Sequence, residues 1–271
     1  MKLLDGTELA DYIKERQAKQ VRNLRQTYKI FPKLAIIQTS DNEVIDTYVR
    51  MKKRYGADIL IDVDIHRPSD GELMDIIAGC NNDETIHGII IQLPLNDPAQ
   101  TEEAVNLVAP QKDVDGLGQN SQHVPATAVA IDWLLNGYNV ELRGRKIAIV
   151  GNGRLVGSPL AKLWKDAGYD VSVFDESSKN LAKTLRRYPI IVSAAGAPNL
   201  ITSVSIQPGA VVVDAATSSE HGRIVGDVAD DVRARSDLTI TPEKGGVGPL
   251  TVVALFDNVI RAAGAAVIPT A

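Results

Sequence analysis

The feature that most constrains the fold is a repeated alternation of short apolar runs with segments of helical periodicity. The runs are continuously apolar, which is typical of strands covered on both faces in a parallel sheet. They fall into two series separated by a loop-rich segment at residues 109–128. Two series predict an α/β protein made of two α/β units, each with a parallel sheet. The predicted strands are 33–38, 57–64, 88–93, 146–150, 170–174, 190–195, 210–215 and 238–241.

A glycine-rich loop follows the first strand of the second series, in the segment IAIVGNGRLVGSP. Its glycines are Gly151, Gly153 and Gly157, so the third comes one residue later than in the common G-x-G-x-x-G dinucleotide fingerprint. The helix that follows offers free N–H groups at its N-terminus to a pyrophosphate. The late glycine widens the turn without removing this feature. We therefore interpret the loop as a dinucleotide site rather than a purely structural turn.

The nature of the nucleotide is indicated by Asp175, which directly follows the second strand of that series and precedes Glu176. A carboxylate at this strand tip accepts hydrogen bonds from the adenosine ribose 2′-hydroxyl and repels a 2′-phosphate. The alternative interpretation is a solvated acidic loop. On the first interpretation, the cofactor is NAD rather than NADP.

Polar side chains also stand out in the first series. Tyr48 and Lys52 are four residues apart on a predicted helix, so they share one face. A lysine and a phenol in this arrangement can transfer protons, although such a pair is more often an ordinary surface pair. Gln92 ends a predicted strand that Pro94 stops, at the edge where open α/β sheets bind ligands.

Two further loops carry candidate residues. The loop QKDVDGLGQN contains Asp113 and Asp115, and paired acids in such loops are usually turn formers or metal ligands. Because no histidine or third carboxylate stands nearby at metal-ligand spacing, we expect no bound metal. The second loop, TPEKGGVGPLT, leads into a last predicted helix and lets the backbone approach a ligand closely.

Charge and cysteine content narrow the class of partner. A net charge of −5 argues against a nucleic-acid role, which needs a concentrated basic surface. No uninterrupted apolar stretch approaches the roughly 20 residues of a membrane span. Cys80 is the only cysteine, which fits a reducing compartment. Since Asp5 and Glu8 interrupt the apolar core that a signal peptide needs, we expect a cytoplasmic protein.

Six segments together resemble the bifunctional methylenetetrahydrofolate dehydrogenase/cyclohydrolase family. They are Tyr48-Val49 followed by Lys52, GIIIQLPL, KDVDG, GNGRLVGSP, SAAGAP and GGVGPLT, in the family's order over almost the whole chain. The resemblance implies a homodimer whose folate substrate binds in a cleft between two domains. It assigns residues 1–120 and the C-terminal helix 249–271 to a catalytic domain, and residues 121–248 to a Rossmann-type dinucleotide-binding domain.

The resemblance also implies roles for individual residues. Lys52 would be the catalytic lysine, held by Gln92. Tyr48 would pack its ring on the folate, and Asp115 would hydrogen-bond the pterin, so all four belong to the catalytic set. The implied substrate-binding residues are Tyr48, Gln92, Pro94, Asp115, Gly246, Gly248 and Pro249. The implied cofactor-binding residues are Gly151, Asn152, Gly153, Arg154, Val156, Gly157, Asp175, Ala195 and Gly196.

The chain departs from the family pattern in its cofactor loop. Where the family usually has an Arg and a Ser that help bind the phosphate of NADP, this chain has Asn152 and Gly153. Together with Asp175, this departure favours NAD. Arg154 and Lys179 are near enough in sequence to reach a phosphate, so NADP stays open as the second candidate.

The predicted activity is oxidation of methylenetetrahydrofolate to the methenyl form with NAD(P), followed by hydrolysis to 10-formyltetrahydrofolate. Two alternatives stay open. One is a shikimate-dehydrogenase-like oxidoreductase, which shares the two-domain architecture. The other is a non-catalytic paralogue that binds folate or nucleotide, although the joint presence of Lys52, Gln92 and Asp115 argues against it.

Overall fold

Alternating strands and helices run through the whole computed structural model, which describes residues 1–69, 71–175, 177–216, 218–220 and 223–265. The strands are β1 (Lys2–Leu3), β2 (Lys33–Ile37), β3 (Asp62–His66), β4 (Gly88–Ile91), β5 (Lys146–Val150), β6 (Asp170–Phe174), β7 (Ile190–Ser193), β8 (Val211–Asp214), β9 (Ser218–Glu220), β10 (Arg223–Val225) and β11 (Thr239–Ile240). The α-helices are α1 (Gly6–Thr27), α2 (Glu43–Asp58), α3 (Leu73–Asn82), α4 (Thr101–Leu107), α5 (Ala126–Gly137), α6 (Gly157–Asp166), α7 (Leu181–Leu185), α8 (Asp230–Arg233) and α9 (Val247–Ala265). Two short 3₁₀ helices are Pro98–Gln100 and Ser203–Ser205.

The chain divides into two units. Unit 1 comprises Met1–Ala10 with Thr127–Thr251, and unit 2 comprises Asp11–Ala126 with Val252–Ala271. The division therefore falls inside α9. The α/β class, the parallel sheets and the two-unit organisation predicted from the sequence are confirmed.

Unit 1 is built on a six-stranded sheet in the order β1-β11-β8-β7-β5-β6, with every neighbouring pair parallel. Its central strands β5 and β7 are almost wholly buried, as their continuous apolar sequences predict. Residues 1–10 lie in this unit because β1 pairs with β11, although the sequence assigned them to the first domain.

Unit 2 contains a three-stranded parallel sheet in the order β3-β2-β4. Helices α3 and α4 cover it through a cluster of buried side chains. The described part of α9 also packs here, and Gly56 of α2 approaches the Phe256 ring so closely that a Cβ would lie 3.2 Å from it.

The predicted strand at 57–64 is wrong in its position. Helix α2 continues to Asp58, and Leu60 then adopts a left-handed conformation with φ 66°. This turn lets the chain reverse before β3 begins at Asp62. Ile59 and Ile61 are buried in the connection, and their burial produced the apolar run that resembled a strand.

Helix α9 is, among the described residues, the one helix long and apolar enough to cross a membrane. Of its most apolar window, 67% is buried within the protein, as in the core helix of a globular domain. The predicted C-terminal helix at 249–271 matches α9 up to Ala265, and residues 266–271 lie outside the described part of the chain.

Candidate active site

Lys52 and Gln92 meet in unit 2. Lys52 lies on α2, and Gln92 immediately follows β4, where its N–H donates to the Ile37 carbonyl of the neighbouring strand at 2.8 Å. The Lys52 Nζ donates to the Gln92 Oε1 at 2.7 Å. The Gln92 Nε2 donates to the Leu93 carbonyl at 3.3 Å, an orientation that leaves the amide oxygen facing the lysine. Pro94 follows, exposed, after a cis peptide bond.

Burial and charge perturb the proton affinity of Lys52 and Asp115. Burial lowers the pKa of Lys52 below the usual lysine range, and the negative charge of Asp115 opposes this shift. Burial raises the pKa of Asp115 above the usual carboxyl range. The positive charge of Lys52 opposes this rise, and the negative charge of Asp113 adds to it. A lysine with a lowered pKa can both accept and donate a proton closer to neutral pH than a solvated lysine can.

Tyr48 lies one helical turn before Lys52 on α2, as the spacing predicts. Its side chain is half-buried, and burial raises the pKa of its hydroxyl. The phenol therefore stays protonated at neutral pH.

Asp113 is a turn former. Its buried carboxylate accepts backbone hydrogen bonds from Gly116 at 3.0 Å, Leu117 at 3.4 Å and Gly118 at 2.8 Å. These bonds close the loop around Asp115. Within the described ranges, no group of three or more His, Cys, Asp or Glu side chains could hold a metal ion.

Lys112 anchors the start of the same loop, a role that sequence reasoning missed. Its Nζ donates to the carbonyls of Cys80 at 3.2 Å, Asn81 at 2.8 Å and Asp83 at 2.7 Å. These carbonyls lie at the C-terminus of α3, where a cation also offsets the negative end of the helix dipole. The lysine in KDVDG was the signal that could have suggested such an anchor.

The glycine loop of unit 1 depends on two of its three glycines. Gly151 has φ 101°, and a Cβ there would lie 2.4 Å from the Ala194 carbonyl oxygen. A Cβ on Gly157 would lie 1.8 Å from the Gly151 carbonyl oxygen. Gly153 has open space instead, with nothing within 4 Å of its Cβ position. Close backbone approach therefore shapes the turn between β5 and α6.

The remaining predicted residues of this loop lie before α6. Asn152, Gly153 and Arg154 are exposed. Val156 occupies the N-cap position of α6 and makes no side-chain cap hydrogen bond. In the first turn of α6, the Ser158 N–H already donates to the Gly153 carbonyl at 3.1 Å and Pro159 has no N–H, so this turn offers fewer free donors than the sequence predicted.

Asp175 directly follows β6 with its carboxylate exposed. Its Oδ1 accepts hydrogen bonds from the hydroxyls of Ser177 at 2.7 Å and Ser178 at 3.1 Å. These bonds lower the pKa of Asp175, so it carries a negative charge at neutral pH. Glu176, the second acid on which the predicted preference for NAD depends, lies outside the described residues.

A buried carboxylate that sequence reasoning missed shapes the loop after β7. The Asp227 side chain accepts from the Ser193 hydroxyl at 2.6 Å and from the backbone N–H groups of Ala195 at 2.8 Å and Ala197 at 2.7 Å. Gly196 between them is left-handed, with φ 70°. Asp227 thus folds the loop that contains the predicted cofactor residues Ala195 and Gly196.

The second glycine loop belongs to unit 1. Gly246 precedes α9, and Gly248 and Pro249 lie in its first turn. A Cβ on Gly6 would lie 1.8 Å from the Gly246 carbonyl oxygen, so the N-terminal segment packs tightly against this loop. The predicted substrate residues are therefore distributed over both units, with Lys52 and its neighbours in unit 2.

Comparison with known proteins identifies the family of both halves of the chain. Residues 4–115 match the catalytic domain of tetrahydrofolate dehydrogenase/cyclohydrolase, and residues 125–267 match its NAD(P)-binding domain. The bifunctional protein FolD of Streptococcus equi subsp. equi is 34% identical over 97% of this chain and 98% of its own length.

Solved structures give the same result. The bifunctional FolD dehydrogenase/cyclohydrolase of Campylobacter jejuni has a TM-score of 0.92 and 33% identity, covering 98% of this chain and 100% of its own. The Trypanosoma brucei FolD, complexed with NADP and an inhibitor, has a TM-score of 0.91 and 31% identity, covering 98% of both chains. The resemblance predicted from the motifs is thus confirmed: this chain belongs to the tetrahydrofolate dehydrogenase/cyclohydrolase family.

Proposed function

We propose that this protein oxidises methylenetetrahydrofolate to methenyltetrahydrofolate with a nicotinamide cofactor and then hydrolyses the product to 10-formyltetrahydrofolate. One observation carries the proposal in a chain of this family. Lys52 has a lowered pKa and is held at 2.7 Å by an amide whose orientation is fixed. Such a lysine is suited to proton transfer in a partly buried site.

The oxidation depends on positioning more than on acid–base chemistry. The lone pairs of the two folate nitrogens expel a hydride from the methylene carbon, and a bound nicotinamide supplies the hydride acceptor. The protein's contribution is to fix the folate in a reactive orientation. Tyr48 is proposed to stack on the folate, and Asp115 to hydrogen-bond the pterin. Gly246, Gly248, Pro94 and Pro249 are proposed to supply further contacts.

The hydrolysis needs a proton carrier. Water adds to the cationic methenyl carbon and releases a proton, which neutral Lys52 accepts. One carbon–nitrogen bond then breaks as the added hydroxyl loses its proton to solvent and becomes the formyl oxygen, and the ammonium returns a proton to the departing nitrogen. The hydrogen bond that Lys52 donates to the Gln92 Oε1 keeps the lysine nitrogen in place through both transfers.

We propose that the cofactor binds at the glycine loop of unit 1 and is NAD in preference to NADP. The close backbone approach at Gly151 and Gly157, where β5 turns into α6, suits a pyrophosphate. The negative charge on Asp175 suits a ribose 2′-hydroxyl and opposes a 2′-phosphate. NADP stays a second candidate, since the Trypanosoma brucei relative was solved with NADP.

We also propose a cytoplasmic homodimer. The dimer rests on the family resemblance. The cytoplasmic location rests on the lone cysteine, Cys80, which is buried and reduced.

The alternatives are less well supported. A shikimate-dehydrogenase-like activity is not favoured, because both halves of the chain match folate-enzyme domains. The charge of Lys52 is costly to bury. A non-catalytic paralogue would have no need for such a lysine hydrogen-bonded to Gln92.

The deciding assay supplies methylenetetrahydrofolate with NAD or NADP in separate reactions and follows the reduced cofactor and the methenyl absorbance. We expect turnover with both and faster turnover with NAD. Absence of turnover with either cofactor would overturn the dehydrogenase proposal, and faster turnover with NADP would overturn the cofactor proposal.

A further inference from the structure

Asn258 is a buried amide on α9 that the proposed chemistry does not use. It is 5% exposed. Its Nδ2 donates to the Val114 carbonyl at 2.9 Å and to the Val124 carbonyl at 3.0 Å. Both amide hydrogens are therefore engaged by backbone oxygens. The Val114 carbonyl belongs to the peptide group that leads directly into Asp115.

The two carbonyls belong to two loop segments that touch each other. Gly116 is left-handed, with φ 73°, and a Cβ there would lie 2.7 Å from the Pro125 nitrogen. Asn258 joins these segments from one side, because one amide group binds the residue before Asp115 and the residue before Pro125. This bridge determines how the segment around Asp115 rests on the segment around Val124.

The position of the Asp115 side chain depends on such backbone anchors. Across the described residues, no hydrogen bond holds its carboxylate, whereas Asp113 is held by three backbone N–H groups. On the N-terminal side of Asp115, the Ile89 N–H donates to the Lys112 carbonyl at 2.7 Å. Ile89 also forms an isolated β-bridge with Asp113. Asn258 anchors the residue before Asp115, and the Gly116 N–H bond to Asp113 anchors the residue after it.

We propose that Asn258 is a positioning residue, which fixes the Val114 and Val124 carbonyls and thereby places the Asp115 carboxylate for contact with the folate. The inference rests on the proposed function, because Asp115 is the proposed pterin contact. Asn258 itself touches no reacting atom. Its effect on the ligand should therefore disappear when the Asp115 carboxylate is removed.

The test is a double-mutant cycle on ligand binding. Asn258→Ala and Asp115→Asn are made singly and together in the full chain, and the affinity for 5-formyltetrahydrofolate is measured by calorimetry. This probe has no methylene bridge to oxidise, so binding is measured without turnover. The matched control is Gln17→Met, since Gln17 is also a buried amide and donates to the α9 carbonyl of Val253 at 2.9 Å.

We expect Asn258→Ala to weaken binding about five- to tenfold in the wild-type background and less than about twofold in the Asp115→Asn background. Gln17→Met should keep the wild-type affinity, although it removes two hydrogen bonds, the one donated to the Val253 carbonyl and the one accepted from the Tyr55 hydroxyl at 2.7 Å. Asn258→Ser, which keeps one donor, should fall between the wild type and Asn258→Ala, and it replaces Asn258→Ala in the cycle if that variant does not fold.

The inference would be overturned if Asn258→Ala weakened binding by the same factor in the wild-type and Asp115→Asn backgrounds. It would also be overturned if Gln17→Met lost as much affinity as Asn258→Ala. A different result marks failure of the proposed function. If the wild-type chain binds no 5-formyltetrahydrofolate and turns over no methylenetetrahydrofolate, the proposed function fails and the inference with it.

Discussion

Gly157 should tolerate no side chain, because its Cβ position is already occupied by backbone. A Cβ there would lie 1.8 Å from the Gly151 oxygen, 2.8 Å from the Gly151 carbonyl carbon and 3.3 Å from the Asn152 Cα. Real Cβ contacts stay beyond 3.0 Å, so the loop must open by more than 1 Å. Overpacking of this kind costs about 1–3 kcal/mol. We expect Gly157→Ala to lower the free energy of unfolding by that amount.

The same movement should impair the cofactor site, because it displaces the start of α6 from the end of β5. A loss of about 1.4 kcal/mol would weaken NAD binding roughly tenfold. The matched control is Gly153→Ala, since nothing lies within 4 Å of that Cβ position. Its free energy of unfolding should stay within about 0.5 kcal/mol of the wild type.

The assay combines urea unfolding, followed by circular dichroism, with calorimetric titration of NAD. A Gly157→Ala variant that unfolds and binds NAD like the wild type would contradict this prediction. The prediction is also refuted if Gly153→Ala destabilises the protein as much as Gly157→Ala does.

Three further substitutions test the site electrostatics. Asp115→Asn removes a negative charge that raises the pKa of Lys52, so the pKa of Lys52 should fall. The rate of methenyltetrahydrofolate hydrolysis should then decline at a lower pH on acidification, and a shift to higher pH would contradict this. Asp175→Ser should move the kcat/KM ratio towards NADP, and an unchanged ratio would show that Asp175 does not read the ribose. Asp227→Asn places an amide NH2 among buried donors and should lower the free energy of unfolding by about 1–3 kcal/mol. It should raise the KM for the cofactor more than the KM for the folate, and equal rises would argue against a role of Asp227 in the cofactor loop.

The buried strands were the part of the fold that the sequence predicted best. The predicted strands at 146–150 and 170–174 coincide with β5 and β6. The continuous apolar sequence of β5 reflects burial in a parallel sheet, whereas β6 lies at the sheet edge and is only partly buried; in both strands the signal is local. Strand β1 left no such signal, because it has two exposed residues and exists only through pairing with β11, more than 200 residues away.

The contacts among the proposed site residues could not be predicted from local sequence patterns. Lys52 and Gln92 are 40 residues apart, so the family resemblance, not the spacing, indicated their hydrogen bond. Asp227 and Asn258 gave no local signal at all. Asn258 reaches Val114 across 144 residues, and such a contact depends on tertiary packing that no local pattern specifies.

The central claim is that Lys52 carries the protons of the hydrolysis. The most direct measurement is the rate at which Lys52→Met hydrolyses methenyltetrahydrofolate, compared with the wild type, with circular dichroism and NAD titration confirming an intact fold and cofactor site. We predict a fall in rate of at least about 100-fold, the usual contribution of a positioned acid–base group. Hydrolysis at the wild-type rate would contradict the account.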